Sequence, residues 1–183
     1  MSKTKKLTTM AVLTALSIAL ALVARFPIFP PIEYDAGDIP ILISGFLFGP
    51  LAGVSVALVK AIVQDLVVSG AGPYGMLMNF ISTGTFVLVA SLIYHRGKTM
   101  KTAIIGLVCG AVATVLIMIP ANLIIMPLWG IPSEVVRTLL LPVIIPANAS
   151  KGVINGFVTF LLYKPISNLI KIPPNTAGRK RNV

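Results

Sequence analysis

Apolar stretches long enough to cross a lipid bilayer follow one another along almost the whole chain, and nothing else constrains its fold as much. A transmembrane helix needs about 20 apolar residues to cross a hydrocarbon core of about 30 Å. Such stretches run over 7–23, 39–59, 76–94, 103–128 and 139–163. Charged residues make up only 11% of the 183 positions, against roughly 25% in a soluble domain. The mean hydropathy is +0.96. A chain of this size has too much surface to cover with so few charges, so its solvent must be largely lipid. The sequence reads as an all-α, polytopic membrane protein. Its one cysteine, Cys109, lies in an apolar run and permits neither a disulfide framework nor a cysteine metal cluster. It is expected to pack as a small hydrophobe.

The positions of the charges predict the topology. Lys3, Lys5 and Lys6 precede the first apolar stretch, which places the N-terminus in the cytoplasm by the positive-inside rule. The other basic clusters are Arg96, Lys98 and Lys101, then Lys164, Lys171, Arg179, Lys180 and Arg181. Five plain spans would put both clusters outside. The conflict disappears if Phe48–Gly53, where Gly49 and Pro50 interrupt the apolar run, is a tight turn, because proline removes a backbone donor and disfavours helix in the residue before it. Six spans result, at about 7–25, 39–49, 51–68, 75–95, 102–127 and 144–168, in one membrane domain over 1–171 with a basic cytoplasmic tail at 172–183. The two termini and the 95–102 loop then face the cytoplasm and hold eleven of the fifteen Lys and Arg residues. All five acids, Glu33, Asp35, Asp38, Asp65 and Glu134, fall in or beside outer loops. The lysine-rich start also resembles a secretory signal, but removing the first span would reverse this parity. In a soluble protein the net charge of +10 would suggest nucleic acid; here the basic residues orient the chain, and no nucleic-acid partner is expected.

Polar groups in hydrocarbon are costly and face a protein interior or a wet cavity. Here they gather at the outer end of the spans. Asn79 lies near the start of the fourth, Asn122 near the end of the fifth, and Asn148 with Lys151 in the first turns of the sixth. Asn148 and Lys151 are three apart and share a helix face; Asn155 extends the row. Above this layer lie the loops 26–38, 69–75 and 129–146, carrying Phe26, Phe29, Glu33, Tyr34, Asp35, Asp38, Tyr74 and Trp129. In the first, FPIFPPIEYDAGD, three prolines favour an extended, stiff segment. Together the loops could form a lid over a pocket at the outer face. Asparagine supplies a donor and an acceptor, lysine supplies donors, and aromatic rings supply stacking faces. That inventory suits a flat, partly apolar ligand with amide-like edges. Interhelical hydrogen bonding by the asparagines and interfacial placement of the aromatics are the alternatives. Lys60 and Asp65, on the third span, read as a structural polar contact or as end-of-helix solvation.

Four segments carry a family resemblance: EYDAGDIPILISGFLFGPLAG (33–53), GMLMNFISTGTFVLVASLIYHR (75–96), NLIIMPLWGIP (122–132) and IIPANASKGVINGFVTFLLYKPIS (144–167). They resemble the riboflavin-specific S components of energy-coupling factor (ECF) transporters, in order and over nearly the whole chain. The resemblance implies six membrane helices that capture riboflavin from outside and deliver it through one transmembrane coupling protein and two cytoplasmic ATPases. It implies that Asn122, Asn148 and Lys151 address the polar edge of the isoalloxazine ring, with the 26–38 loop closing above. It also makes Glu33 and Asp38 of that loop candidate partners for the ribityl hydroxyls, and Tyr34 and Asn79 remain candidate contacts on the chemistry of the polar layer and its loops. No cofactor is implied, since riboflavin is the transported ligand. The family's AxxxA pattern on the first helix matches Ala11, Ala15 and Ala19, a smooth face that would admit a helix of the coupling protein; packing within the bundle is the alternative.

An intramembrane enzyme fares badly on this sequence. The single His95 is expected in a cytoplasmic loop beside Arg96, far from the outer acids, and there is no GxSxG, HExxH or P-loop motif. No polar stripe runs the length of a helix to line a channel. Within the transporter class, an S component for another vitamin or heterocycle is the other reading, and the NxxK and MPLWG neighbourhoods favour the flavin.

Overall fold

The computed structural model describes residues 3–29, 32–69 and 72–170; Pro30, Pro31 and the tail at 172–183 lie outside them. In chain order the elements are α1 (Lys3–Val23), β1 (Arg25–Phe29), β2 (Ile32–Asp35), α2 (Asp38–Phe48), α3 (Pro50–Gln64), α4 (Gly72–Gly97), α5 (Met100–Leu128), α6 (Ser133–Leu139) and α7 (Ile145–Ile170). Wider π turns follow α3 at Asp65–Ser69 and precede α7 at Leu140–Ile144. Among the described residues, four helices are long and apolar enough to cross a membrane, beginning at Lys3, Pro50, Gly72 and Met100.

The break inside the second apolar run falls where glycine and proline predict it. Gly49 has φ 101° and ψ 169°, a region that residues with a Cβ avoid. Pro50 then opens α3, where its missing N–H would have had no helical partner. The 11 residues of α2 rise about 16 Å, about half of a bilayer's hydrocarbon core. Every residue from Asp38 to Phe46 is buried, as expected of a helix that is apolar on all sides. α2 is therefore the centre of the bundle. Ile41, Leu42 and Phe46 pack there with Val56 and Ala57 of α3 and with Phe86 and Val87 of α4. Small residues bring α4 and α5 together: a Cβ at Gly106 would lie 2.5 Å from the carbonyl oxygen of Ala90.

Three expectations need correction. The fold is mostly but not wholly helical, because the proline-bearing 26–38 segment is an antiparallel β-hairpin, with Arg25 opposite Asp35 and Phe26 opposite Tyr34. The 129–146 segment is not a plain loop but is largely helical, holding α6 and a π turn. The 95–102 loop shrinks to Lys98 and Thr99 between α4 and α5. There the Thr99 side chain accepts from the Thr102 N–H and the Thr102 hydroxyl accepts from the Thr99 N–H, a reciprocal cap that starts α5. His95 consequently sits in the last turn of α4, its Nε2 3.1 Å from the Gly45 carbonyl oxygen.

The helices are apolar outside as well as inside. Leu16, Val108, Leu116 and Phe157 are exposed, and so is Cys109, which does not pack in the core. Such surfaces are stable only against lipid.

Candidate functional site

The hairpin is tied to one end of the bundle by α1 and α2. The Ser17 hydroxyl donates to the Gly37 carbonyl at 2.5 Å, and the Gly37 N–H donates to Asp35 Oδ1 at 2.7 Å. Successive residues of a strand point to opposite faces, and this sorts the loop's candidates. Glu33 and Asp35 line a cavity of about 210 Å3 between the hairpin and the helices. Tyr34 points the other way, into an apolar cluster with Leu13, Ile39 and Ile43, its ring 5.0 Å from that of Phe26. The expectation that Tyr34 belongs to the pocket wall is therefore corrected by the strand's alternation.

Asn79, Asn122, Asn148 and Lys151 all reach this cavity, together with Gln64, Ser82 and Trp129. Asn122 Nδ2 donates to the Met118 carbonyl at 2.6 Å, and Asn148 Nδ2 donates to the Ile144 carbonyl at 2.8 Å. Only the nitrogen end of an amide can face a carbonyl oxygen, so both side chains are fixed in orientation. Their Oδ1 atoms accept no hydrogen bond from the described residues, and each amide keeps one N–H to spare. Asn79 differs. Its Nδ2 donates to Gln64 Oε1 at 2.7 Å, while its Oδ1 lies 3.3 Å from the Thr83 hydroxyl, whose single hydrogen goes to Asp38 at 2.9 Å, so Asn79 braces the wall through Gln64. At the cavity's edge Glu33 is ion-paired with Arg25.

Beneath the cavity lies a buried charge network that the sequence reading missed. Lys60 is 0% exposed, with Nζ 2.5 Å from Asp35 Oδ2 and 3.0 Å from Asp38 Oδ1. Gln64 donates to Asp35 Oδ2 at 2.8 Å, Thr83 to Asp38 Oδ1 at 2.9 Å, and Asn155 to Asp38 Oδ2 at 3.4 Å. Lys151 Nζ stands 4.0 Å from Asp38 Oδ2, so two lysines face two carboxylates and the net charge is zero. Burial pushes the Asp35 carboxyl up, but the Lys60 ammonium, aided by Lys151 and the Gly37 N–H, outweighs it and holds the group below the usual carboxylate range. Asp38 is thus not on the cavity wall. It is the first residue of α2, which starts inside the bundle, and its oxygens are taken up by Lys60, Thr83, Asn155 and Lys151. Lys60 is a structural polar contact and not a solvated helix end. Two signals in the sequence pointed this way: a lysine in an apolar helix needs a buried partner, and Asp35 and Asp38 are the acids at the entry to the next helix inward. Arg25 and Gln64 carried no comparable signal.

The same chain matches, over residues 5–163, the family model of the ECF transporter, substrate-specific component. The chain belongs to that family. It is 33% identical to the riboflavin transporter RibU of Staphylococcus aureus, over 93% of this chain and 95% of that one. It is 28% identical to the riboflavin transporter FmnP of Bacillus subtilis, over 88% and 91%. A solved structure of the S component of a bacterial ECF transporter superposes with a TM-score of 0.80 at 31% identity, covering 93% of this chain and all of that one. Members of this family are membrane transport components and not enzymes. In this S component the NxxK residues Asn148 and Lys151 face the cavity together from the first two turns of α7. On α1, Ala11, Ala15 and Ala19 are exposed while Leu13, Ser17 and Ala21 are buried. The alanine face is therefore not used for packing inside the bundle.

Proposed function

We propose that this S component binds riboflavin in the cavity beneath the hairpin, at the extracellular face of the cell membrane, and delivers it through an ATP-driven ECF module. One observation carries the reading: two oriented amides and an ammonium, from α5 and α7, converge on one cavity. The isoalloxazine ring has an imide edge that alternates carbonyl acceptors with an N–H donor. Free Oδ1 atoms on Asn122 and Asn148 suit the N–H, while Lys151 and the spare amide N–H groups suit the carbonyls. Trp129, Met78 and Met126 supply apolar faces for the rings. Glu33, on the cavity side of the hairpin, is the acid placed to accept from ribityl hydroxyls. At 210 Å3 the cavity is smaller than the pockets of about 300–1,000 Å3 that take drug-sized ligands, so binding requires the hairpin or the 129–144 segment to move outward. Relatives named as riboflavin transporters support the choice of ligand.

Protein purified from riboflavin-fed cells is expected to be yellow, with an oxidised-flavin spectrum, and to bind riboflavin without ATP or metal. A hydrogen bond to a charged group such as Lys151 is worth about 1.5–3 kcal/mol, a buried polar group left without its neutral partner costs about 1–3 kcal/mol, and 1.4 kcal/mol is tenfold in affinity. Lys151→Ala and Asn148→Ala should therefore each weaken binding by roughly tenfold or more in a fluorescence-quenching titration. A colourless protein that leaves added flavin fluorescent transfers the reading to another heterocycle. Normal affinity in both variants would make the NxxK pair structural.

The proposed topology has six spans, both termini in the cytoplasm, and the Gly49–Pro50 and Lys98–Thr99 turns on the cytoplasmic side. Single cysteines at positions 50 and 98, in a Cys109→Ala background, are expected to resist an impermeant thiol reagent in intact cells and to react after lysis. Labelling in intact cells would refute this sidedness.

A further inference from the structure

A second and larger concavity lies away from this site, on the outside of the bundle between α5 and α7. It holds about 580 Å3 and contains no polar side chain. Its floor is formed by Gly152 and Gly156 of α7, and its walls by Ile104, Val108, Val112 and Phe157. Gly152 lets α7 close on α5, since a Cβ there would lie 2.7 Å from that of Ala111, and the larger residues on either side stand up as rims; Val108 and Phe157 are 58% and 63% exposed. From Ile104 to Leu116 it follows α5 for about 18 Å. That is a little more than half of the about 30 Å of a bilayer's hydrocarbon core, the depth of one leaflet. One end is charged. Lys101 precedes Ile104 by three residues and Val108 by seven, on the same stripe of α5, and it is exposed beside exposed Arg96 and Lys98. No acidic residue occurs between Asp65 and Glu134 or after Glu134, so nothing acidic on α4, α5 or α7 opposes this positive end.

We infer that the α5–α7 groove holds one acyl chain of an anionic phospholipid, whose phosphate is held at Lys101 and the neighbouring basic turn. The length selects a lipid tail from a single leaflet. The charge selects an anionic headgroup, since each lysine or arginine near the surface is worth about fivefold in lipid affinity. A second protein helix would fit the apolar walls but has no use for the cationic end.

The full-length protein, incubated with mixed micelles of phosphatidylglycerol or phosphatidylcholine, can be examined by native mass spectrometry. One phosphatidylglycerol is expected to stay bound to the monomer under conditions that strip phosphatidylcholine. Lys101→Glu, at an exposed site that does not threaten folding, should lower phosphatidylglycerol retention by about fivefold or more. Val112→Trp, on the exposed wall of the groove, should reduce retention of both lipids, because the indole takes up space that the acyl chain would occupy. Thermal unfolding of each variant serves as the folding control, and if Val112→Trp fails it, Lys101→Glu decides alone. Equal retention of the two lipids by the unaltered protein, no change in Lys101→Glu, or a dimer in place of a lipid adduct would each overturn the inference.

Discussion

Replacing Lys60 with methionine is expected to cost the protein much of its stability, although Lys60 touches neither the cavity nor the surface. The ammonium lies between the carboxylates of Asp35 and Asp38, at 2.5 and 3.0 Å, and all three side chains are at most 5% exposed. Methionine would fill most of the volume and leave two like charges buried with one distant partner, Lys151, 4.0 Å from Asp38. Removing one member of a buried ion pair costs about 3–5 kcal/mol, against a total folding free energy of about 5–15 kcal/mol. For a chain of this length that corresponds to a fall of about 6–20 °C in the melting temperature. The loss comes from uncompensated charge, so neutralising the partners should reverse part of it. Lys60→Met combined with Asp35→Asn should melt higher than Lys60→Met alone. The network joins β2, α2, α3, α4 and α7, so the single variant should also lose flavin affinity as Lys151 loses its orientation. A Lys60→Met protein that melts with the unaltered one would show that the charges are not the bond between hairpin and bundle.

Ala15→Trp is expected to abolish uptake while leaving riboflavin binding intact. Lipid tails are as apolar as the side chains they would replace, so helices associate in a membrane chiefly by close van der Waals packing over small residues. Ala11, Ala15 and Ala19 form such a surface and are exposed on α1, and we propose that a helix of a transmembrane coupling protein docks there. An indole in the middle of that face would hold the partner away over at least a turn in each direction. Ser17, which ties α1 to the hairpin, and Leu13 lie on the buried face, so the cavity should not register the change. The measurements are cellular riboflavin accumulation, co-purification with the coupling protein and ATPases, and flavin titration of the purified variant. Normal uptake would move the docking surface elsewhere. Loss of both uptake and binding would mean that α1 supports the cavity.

The sequence by itself determined what depends on local chemistry and on the solvent. When the solvent is lipid, apolar length reports directly on helices, and a Gly–Pro pair inside a run reports a break; α2 and α3 part at Gly49 and Pro50 as those residues require. Helical spacing also put Asn148 beside Lys151, and the polar layer did place Asn79, Asn122, Asn148 and Lys151 on one cavity. Tertiary structure alone decided the rest. Tyr34 and Glu33 are neighbours in the chain, but only the hairpin's alternation sends one to the core and the other to the cavity. Asp38 sits at the start of a helix that, from sequence, begins near a loop. It begins instead inside the bundle, because α2 is half as long as a bilayer core, and a carboxylate at that depth must find Lys60. Asn79 carries the same amide as Asn122, yet its nitrogen is held by Gln64 of another helix. A side chain's chemistry is written in its type, but whether that chemistry is free or consumed depends on partners 15 to 120 residues away in the chain, and only folding brings them within 3 Å or so of one another.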